Sequence, residues 1–473
     1  MVIPAVVAVI FREWAPFFDF LIGIGLSLCV GLIFVLAGRP VERGLTWTQG
    51  FAVASFSWIV AMFLAAVPYY LSGHWNAYLD ALFDVMSGFT TTGVVLVQDL
   101  DHIAVSVNAW RHLLTYVGGQ GMVVLALTVL SRGLPGAFKL YVGEAKDERL
   151  MPSVGETAKA IWFISVIYLI IGTLVLSVSA MAIGIDPVRA LLHGAFVFMG
   201  AWSTGGFAPQ SQNIAYYHSF LFEAATVPFL IAGSLNFGLH YAIWNGRRRE
   251  ILKNIETQVF ATVLTILTLV GLGATIVSRT YDGPLALARR VVYQFISAQT
   301  TTGFATIYPA QFANEWPVLA ILAISISMLF GASASSTAGG FKGVRVGMVV
   351  KSLKHEVRKL MSPESAVVVE KMHMGEDIVL EDRNVKLASL IILLYLVIFT
   401  AGVLVGVAYG YPLPQAIFES ASVTGNVGLS SGVTAPSMPW PMKVLYIFMM
   451  WIARLEFMSV LVLFGLIFKL TKK

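Results

Sequence analysis

Cysteine and charge are both scarce in this chain. Its 473 residues include one cysteine, Cys29, which excludes a disulfide framework and a cysteine-based metal site. Only 12% of the residues are charged, whereas a soluble domain carries about 25%. So few charges cannot cover a water-facing surface. With 57% apolar residues and a mean hydropathy of +0.79, the composition indicates a membrane protein.

Signatures of secretion and of enzyme chemistry are missing too. Met1 to Ile10 are apolar from the start, with no basic segment and no small-residue cleavage site, so no cleavable signal peptide is expected. The chain has no HExxH, GxSxG or P-loop motif and no cluster of histidine and aspartate. The sequence therefore predicts no enzyme activity and no transition-metal site, and it offers no motif for nucleic acid.

Long apolar stretches recur near the ~20 residues that a helix needs to cross a bilayer. Residues 1–11 are apolar but short for a full span. Shorter semi-polar segments lie between the long ones and predict re-entrant half-helices, which a membrane tolerates where they line a cavity or are buried in protein. The predicted spans are 17–37, 47–70, 107–130, 158–184, 218–244, 255–278, 316–350, 387–410 and 438–469, and the half-helices are 78–89, 187–202, 284–299 and 413–424.

Basic residues fall in alternate loops. They cluster at 39–43, 132–149, 247–253, 342–386 and 469–473, while the other side keeps few, such as Arg279, Arg289, Arg290 and Lys443. The positive-inside rule places the basic loops and both chain ends in the cytoplasm. Solvated loops with random charges are the alternative, but they do not explain the strict alternation.

Each half-helix ends in a short uncharged pentad, and the four pentads align on a glycine. An aromatic residue stands seven residues before each pentad: Phe83, Phe196, Tyr293 and Phe418. The glycines are separated by 113, 97 and 125 residues, which leaves room for two helices and a link. The pentads are Thr90-Thr91-Thr92-Gly93-Val94, Ser203-Thr204-Gly205-Gly206-Phe207, Thr300-Thr301-Thr302-Gly303-Phe304 and Gly425-Asn426-Val427-Gly428-Leu429.

The chemistry of the pentads favours a cation. They offer backbone carbonyls and hydroxyls, and the fourth-position glycine can adopt angles that aim carbonyls inward. Four such segments around one axis would form a ring of oxygen dipoles able to replace the water shell of an ion. The half-helices would add C-terminal ends that carry about half a negative charge each. One such glycine could be a tight turn or a helix contact; four in this context predict a selectivity filter.

The predicted fold is an all-α membrane protein with four helix–pore-loop–helix repeats in pseudo-fourfold symmetry around one pore, plus extra N-terminal helices. The extra transmembrane helices occupy 1–44, and the repeats occupy 45–132, 133–247, 248–352 and 353–473. The repeats are parallel, each entering from the same side, and the pentads lack carboxylates. Both features favour a pore over a secondary transporter with inverted repeats and midplane ionisable groups.

A gate is predicted within the third repeat. Its second helix is interrupted at 331–341 by small and polar residues, which cannot form a lipid-facing helix. A small-residue packing face is the alternative. Arg454 is expected to face the pore as a second barrier, since a charge within a span costs ~2.5–3.5 kcal/mol and needs an interior position; the alternative is a structural pair with Glu456. The gate residues are Gly331, Ser333, Ser335, Ser336, Thr337, Gly339, Gly340 and Arg454.

Smaller roles are expected for other polar residues in the spans. Asp84 and Glu419 follow the aromatic in their half-helices and are expected to bind the filter backbone by hydrogen bonds. His112 and His240 are expected to be helix-packing residues, because lone histidines do not make a metal site.

These residues resemble the Trk/Ktr/HKT superfamily of potassium transporters. Thr90–Val94, Ser203–Phe207, Thr300–Phe304 and Gly425–Leu429 look like its four filter segments, and the resemblance runs from about Leu45 to Lys473. Three further segments resemble the TrkH branch: Trp110–Gly121, Ser234–Tyr241 and Ala453–Glu456.

The resemblance implies several properties. The transported ion would be K⁺, bound at the filter, with no organic cofactor. The four glycines resemble the potassium-preferring pattern, although Gly425-Asn426-Val427 departs from the threonine-rich one. The protein would be a homodimer in a bacterial cytoplasmic (inner) membrane, with a TrkA-like ring of cytosolic nucleotide-binding regulatory subunits. Residues 331–341 resemble the intramembrane gating loop of the family.

Taken together, the residues predict potassium uptake through a gated, channel-like pore. A symporter that couples potassium to protons or sodium is the alternative.

Overall fold

The computed structural model describes residues 1–38, 47–97, 99–125, 154–363 and 369–471. Within these ranges five helices are long and apolar enough to cross a membrane, and two bent helix pairs bring the number to seven. The basic loops at 39–43 and 132–149 and the last two lysines lie outside the described residues, so their predicted side is not tested.

Each repeat begins with an entering helix, continues with a short pore helix that ends in the filter segment, and closes with an exiting helix. The entering helices are Trp47–Ala65 with Val67–Leu71, Val154–Ala182, Ile255–Val277 and Asp382–Ala408. The exiting helices are Val105–Leu125, Phe220–Ser234 with Phe237–Trp244, Val318–Leu329 with Gly343–Leu360, and Trp440–Arg454 with Met458–Thr471. Short helical turns occupy Asn213–Tyr217, Glu250–Lys253 and Pro309–Asn314.

The four pore helices lie where the sequence predicts them. They are Tyr78–Phe89, Pro187–Trp202, the continuous run Pro284–Leu287, Ala288–Val292 and Tyr293–Gln299, and Leu413–Gly425. The start of the second is set locally, since Pro187 occupies the first turn and the Asp186 carboxylate accepts hydrogen bonds from Val188 N at 3.1 Å and Arg189 N at 3.4 Å.

The N-terminal segment contains one short helix and one long helix. Val2–Ile10 is a helix of nine residues, about 14 Å long at 1.5 Å per residue, too short to cross a bilayer. Met1 packs against Gly23, part-way along the helix Trp14–Ala37, and Pro68 lies against the same glycine. Of the two helices in this segment, Trp14–Ala37 is the one long and apolar enough to span, while the side of the membrane on which the N-terminus lies stays a prediction.

Two exiting helices that the sequence treats as single spans are bent. The predicted span 218–244 breaks after Ser234 with a bend of 105°, and 438–469 breaks after Arg454 with a bend of 111°. Glu456 and Phe457 adopt left-handed φ angles of 56° and 65° at the second break. Such angles are unfavourable for residues with a Cβ, and tertiary contacts hold them here: Glu456 binds Arg345, and the Phe457 ring packs edge-on against Tyr395.

A β-hairpin that the sequence analysis did not predict follows the third repeat. Lys371–Met374 pairs antiparallel with Glu376–Val379. His373 lies between Glu250 at 2.9 Å and Asp377 at 2.8 Å, and these hydrogen bonds raise the pKa of His373. The helix Gly343–Leu360 runs through the predicted repeat boundary at 352, because it continues beyond the end of its apolar part.

Candidate functional site

The four filter segments share one backbone conformation. The second residue of each has a left-handed φ between 49° and 54°, and the fourth residue, glycine, has a φ between 64° and 102°. The non-glycine members of this pattern are Thr91, Thr204, Thr301 and Asn426. Asparagine tolerates this region, but threonine rarely enters it. The repeat of the same unfavourable angle at four equivalent positions indicates that tertiary structure imposes it.

The left-handed residue closes each pore helix. The N–H of the third filter residue bonds a carbonyl five residues back, as in a Schellman-type helix end. These bonds join Thr92 N to Ser87 O at 2.8 Å, Gly205 N to Gly200 O at 2.9 Å, Thr302 N to Ser297 O at 2.9 Å and Val427 N to Ser422 O at 2.9 Å. Each pore helix therefore ends in the same turn, and the filter segment leaves it in the same direction.

The four segments meet in a closed ring. A Cβ on Gly93 would lie 2.7 Å from the carbonyl oxygen of Gly205, the third residue of the next segment. The other three glycines meet the same position in the following segment, and a Cβ on any of them would collide with that oxygen. The pairs are Gly206 with Thr302, Gly303 with Val427, and Gly428 with Thr92. The cyclic order is complete, so the predicted segments surround one axis.

The side chains of the filter mostly support the backbone. The Thr90 hydroxyl lies 2.7 Å from the Thr92 hydroxyl and donates to Met86 O at 2.7 Å, and Thr300 and Thr302 form the same pair at 2.9 Å. Asn426 Nδ2 donates to Thr92 Oγ1 at 2.9 Å. These hydroxyls are therefore committed to neighbouring protein groups. Backbone carbonyls are left as the main groups that could hold a cation, and no filter residue carries a charge.

The loop predicted as a gate, residues 331–341, lies against the pore-helix end of the filter. It contacts the second residue of every segment. Thr91 Oγ1 donates to Thr337 O at 3.5 Å, Thr204 Oγ1 donates to Thr337 Oγ1 at 3.2 Å, and Gly339 N donates to Thr301 Oγ1 at 2.8 Å. In the fourth segment a Cβ on Gly339 would lie 2.8 Å from the Asn426 Cβ.

Arg454 reaches the same loop. Its side chain is buried, and Nη1 donates to Thr337 O at 2.7 Å. Glu456 pairs with Arg345 and not with Arg454, so the alternative of a structural Arg454–Glu456 pair is wrong. The two residues do not share a helix, because Trp440–Arg454 ends between them. Lys342, a buried cation that the sequence analysis did not single out, donates to Ala338 O within the loop.

The bend of the second exiting helix is a further part of this site that sequence reasoning missed. Ser333 N donates to Ser234 O at 3.2 Å, Thr337 Oγ1 donates to Gly233 O at 2.8 Å, and Phe237 N donates to Ser335 O at 3.3 Å. The break exposes backbone groups that the loop satisfies. A signal was present, because Gly233-Ser234-Leu235-Asn236 resembles the small and polar composition of the loop, and Asn236 caps the next helix.

Asp84 and Glu419 bind backbone groups beyond the filter segments that were predicted as their partners. Asp84 and Glu419 accept backbone N–H groups of Leu96 and Ser431, which lie three residues past the filter glycine and not within the filter itself. His112 binds Asn108 O at 2.8 Å and stacks on Phe196, in a packing role. Among the described residues no group of three histidine, cysteine or acidic side chains could hold a metal ion.

Comparisons with known proteins agree with this architecture. The family described as TrkH, cation transport protein, matches residues 19–469. An uncharacterized cation transporter of Methanocaldococcus jannaschii is 31% identical over 467 residues, which cover 98% of this chain and 92% of that protein. The Trk system potassium uptake protein TrkG of Escherichia coli is 28% identical and covers 98% of this chain and 94% of its own length.

The crystal structure of the potassium transporter TrkH from Vibrio parahaemolyticus matches with a TM-score of 0.83 at 25% identity, over 98% of this chain and 94% of that chain. The predicted fold class, four pore-loop repeats in an all-α membrane protein, is confirmed by this match.

Proposed function

Because the chain belongs to the TrkH family of cation transport proteins, as the resemblance of its filter segments predicts, we propose that it takes up potassium across the cytoplasmic membrane through a channel-like pore. The chain is a multi-pass membrane protein and a transporter, not an enzyme. Its relative TrkG of Escherichia coli is named a potassium uptake protein, and the matched crystal structure is of a potassium transporter.

The closed ring of filter segments is the observation that carries the proposal. The contact between each glycine and the third carbonyl of the next segment brings backbone oxygens of all four repeats to one axis. Such oxygens can substitute for the water ligands of a dehydrated potassium ion. The proposed ion ligands are the carbonyls of Thr90–Gly93, Ser203–Gly206, Thr300–Gly303 and Gly425–Gly428.

Residues 331–341 and Arg454 form the proposed gate. The support is that the loop contacts the second residue of all four filter segments, and that Arg454 binds the loop at Thr337. A cation leaving the filter would meet both the loop backbone and a buried positive charge. Opening then requires the loop to exchange these hydrogen bonds for others.

Partners and orientation remain predictions of the family resemblance and of the charge pattern. We propose a homodimer, a cytosolic nucleotide-binding regulatory ring, and basic loops that face the cytoplasm. The relatives named as Trk system proteins support a role within a multi-component system.

Rubidium uptake tests the proposed function. Cells that lack their own potassium uptake systems are expected to accumulate rubidium and to grow at low potassium when they express the chain. The purified protein in liposomes is expected to give a reversal potential that follows the potassium gradient and does not move with a pH or sodium gradient. A reversal potential that shifts with either gradient would favour the symporter, and no uptake in either system would refute the proposal.

A further inference from the structure

The structure relates two positions around each filter segment that the sequence analysis did not connect. The first lies nine residues before the filter glycine, in the pore helix, and the second lies three residues after it, at the outer end of the filter. The first position holds Asp84, Val197, Gln294 and Glu419, and the second holds Leu96, Pro209, Thr306 and Ser431. In three of the four repeats a hydrogen bond joins the two positions.

In repeats one and four a buried carboxylate makes the connection. Asp84 Oδ1 accepts from Leu96 N at 2.7 Å, and its Oδ2 accepts from Trp75 Nε1 at 2.8 Å. Glu419 Oε2 accepts from Ser431 N at 3.0 Å. Its Oε1 accepts from the Ser430 hydroxyl at 2.9 Å and from Thr434 N at 3.0 Å. Both carboxylates are fully buried, so these donors replace the water that each lost.

Repeat three makes the same connection with neutral groups. Gln294 Nε2 donates to Thr306 Oγ1 at 2.9 Å, and both side chains are fully buried. The Thr306 hydroxyl donates in turn to Arg289 O at 2.7 Å. Because side chains provide both partners here, the connection can be removed without leaving a buried charge unpaired.

Repeat two lacks the connection and lacks both groups that would make it. Val197 has no hydrogen-bonding atom in its side chain, and Pro209 has no backbone N–H. The outer end of this filter segment is held instead from repeat one. Asn108 Nδ2 donates to Pro209 O at 2.9 Å, and Arg111 Nη1 donates to Ala208 O at 3.3 Å. Donor and acceptor are present together in three repeats and absent together in repeat two. This indicates that the two positions act as a pair.

We propose that Asp84, Gln294 and Glu419 are positioning residues for ion selection: they clamp the outer end of the filter, while Asn108 and Arg111 replace the missing clamp of repeat two. The inner end of each segment is fixed by the pore-helix turn, so the clamp determines whether the outer carbonyls keep their spacing. A filter released at its outer end can contract around the smaller sodium ion. This inference rests on the proposed function, because it assigns the cause of selection in the same pore.

Repeat three gives the cleanest test. Thr306→Val keeps the shape of the side chain but removes the hydroxyl, and Gln294→Leu removes the donor. In liposomes carrying the full chain, Gln294→Leu is expected to lower the rubidium-over-sodium flux ratio about two- to tenfold, the range that loss of one ordinary hydrogen bond supports. Thr306→Val is expected to lower it at least as much, because it also removes the bond to Arg289 O. The double variant is expected to be no worse than the more severe single one, because both remove the same bond. Thr306→Ser, which retains the hydroxyl, is expected to keep the wild-type ratio.

Val197→Ala is the matched control, since it changes the same position in the repeat that has no such bond; its flux ratio is expected to stay at the wild-type value.

Hydrogen exchange of the backbone at 304–308 gives a second readout that does not depend on transport. It is expected to accelerate in Thr306→Val and Gln294→Leu and to stay unchanged in Thr306→Ser. Additive effects, a wild-type flux ratio in Thr306→Val, or unchanged exchange would each overturn the clamp. Absence of rubidium flux in the wild type would instead refute the proposed function. The hydrogen-exchange rates at 304–308 would then still show whether the Gln294–Thr306 bond holds this segment.

Discussion

Four equivalent residues, Thr91, Thr204, Thr301 and Asn426, hold left-handed backbone angles that asparagine tolerates but threonine rarely adopts. Each begins the turn that takes the chain from pore helix to filter. The unfavourable free energy of these angles is offset by the helix-closing bonds and by hydrogen bonds from neighbouring elements, such as Gly339 N to Thr301 Oγ1 at 2.8 Å. At the scale of single residues, the filter is therefore a conformation held by its neighbours.

The filter glycines add a second constraint, which a substitution can separate from the first. Gly303 has a φ of 79° and packs against Val427 O, whereas Gly73 has a φ of 74° and an added Cβ there would meet nothing within 4 Å. Gly303→Ala is expected to abolish rubidium flux, because the methyl would collide with a filter carbonyl. Gly73→Ala is expected to keep flux and to cost about 1–2 kcal/mol of stability from the angle alone.

Rubidium uptake and thermal unfolding in detergent measure these two outcomes. Equal loss of flux in both alanine variants would show that the angle, and not the ring contact, governs the filter.

At the scale of elements, the loop 331–341 joins parts of the molecule that are distant in sequence. Thr337 is its centre. Its hydroxyl lies 2.9 Å from Trp202 O and 2.8 Å from Gly233 O, and its carbonyl accepts from Arg454 at 2.7 Å. The loop is therefore held by the second pore helix, by the bend of the second exiting helix and by the end of the fourth exiting helix. The breaks of the second, third and fourth exiting helices therefore meet where an ion would leave the filter.

Loosening this element is expected to raise resting flux. Thr337→Val keeps the shape but removes the hydroxyl, and it is expected to raise flux without regulatory partners about two- to tenfold, since one net hydrogen bond is lost. Arg454→Ala, which removes a bond to the loop and a charge near the pathway, and shortening of 331–341 are expected to act in the same direction. Flux from liposomes at fixed potential measures the change.

Thr337→Ser is the control, because it retains the hydroxyl and is expected to keep the low resting flux. Resting flux at the wild-type level in both Thr337→Val and Arg454→Ala would argue against a gate at this loop.

At the scale of the whole molecule, four unlike repeats complete one another. Repeat two borrows support for its filter from Asn108 and Arg111 of repeat one, and its bent helix supports the loop of repeat three. Outer basic residues are paired across repeats as well: Lys443 with Asp80 at 2.6 Å and Arg289 with Glu223 at 2.7 Å. The turn at the inner end of each filter segment is formed within its own repeat, whereas the ring contacts and the support of repeat two come from neighbouring repeats.

The orientation of the whole molecule can be measured with cysteine labelling, because Cys29 is the single cysteine. In a Cys29→Ala background, Asp282→Cys lies in an exposed turn on the filter side, and Lys354→Cys lies on the exposed helix that follows the loop. A membrane-impermeant maleimide is expected to label Asp282→Cys in intact cells and Lys354→Cys only after permeabilisation. The reverse pattern would invert the topology that the positive-inside rule predicts.

Local composition and spacing were sufficient to predict the repeated pore-loop unit from the sequence. Because glycines, hydroxyl residues and the absence of charge are visible in a sequence, they were enough to predict the four filter segments, the pore helices such as Tyr78–Phe89, and the loop 331–341. The break in the second exiting helix had a local signal in Gly233-Ser234-Leu235-Asn236 that was not used. The break in the fourth could not be predicted, since an apolar segment of sufficient length is compatible with either a straight span or a bent one. The same holds for Val2–Ile10, whose short length alone left its position open.

The sequence by itself determined that the chain lies in a membrane, that it repeats one pore-loop unit four times, and that no filter residue carries a charge, because each of these follows from the order and kind of residues along the chain. Only the tertiary structure decided that threonines adopt left-handed angles, that Glu456 pairs with Arg345 and not with Arg454, and that buried Asp84, Gln294 and Glu419 bond the residues three positions past the filter glycines. These depend on contacts between residues far apart in the chain, which compete with local preference and here outweigh it.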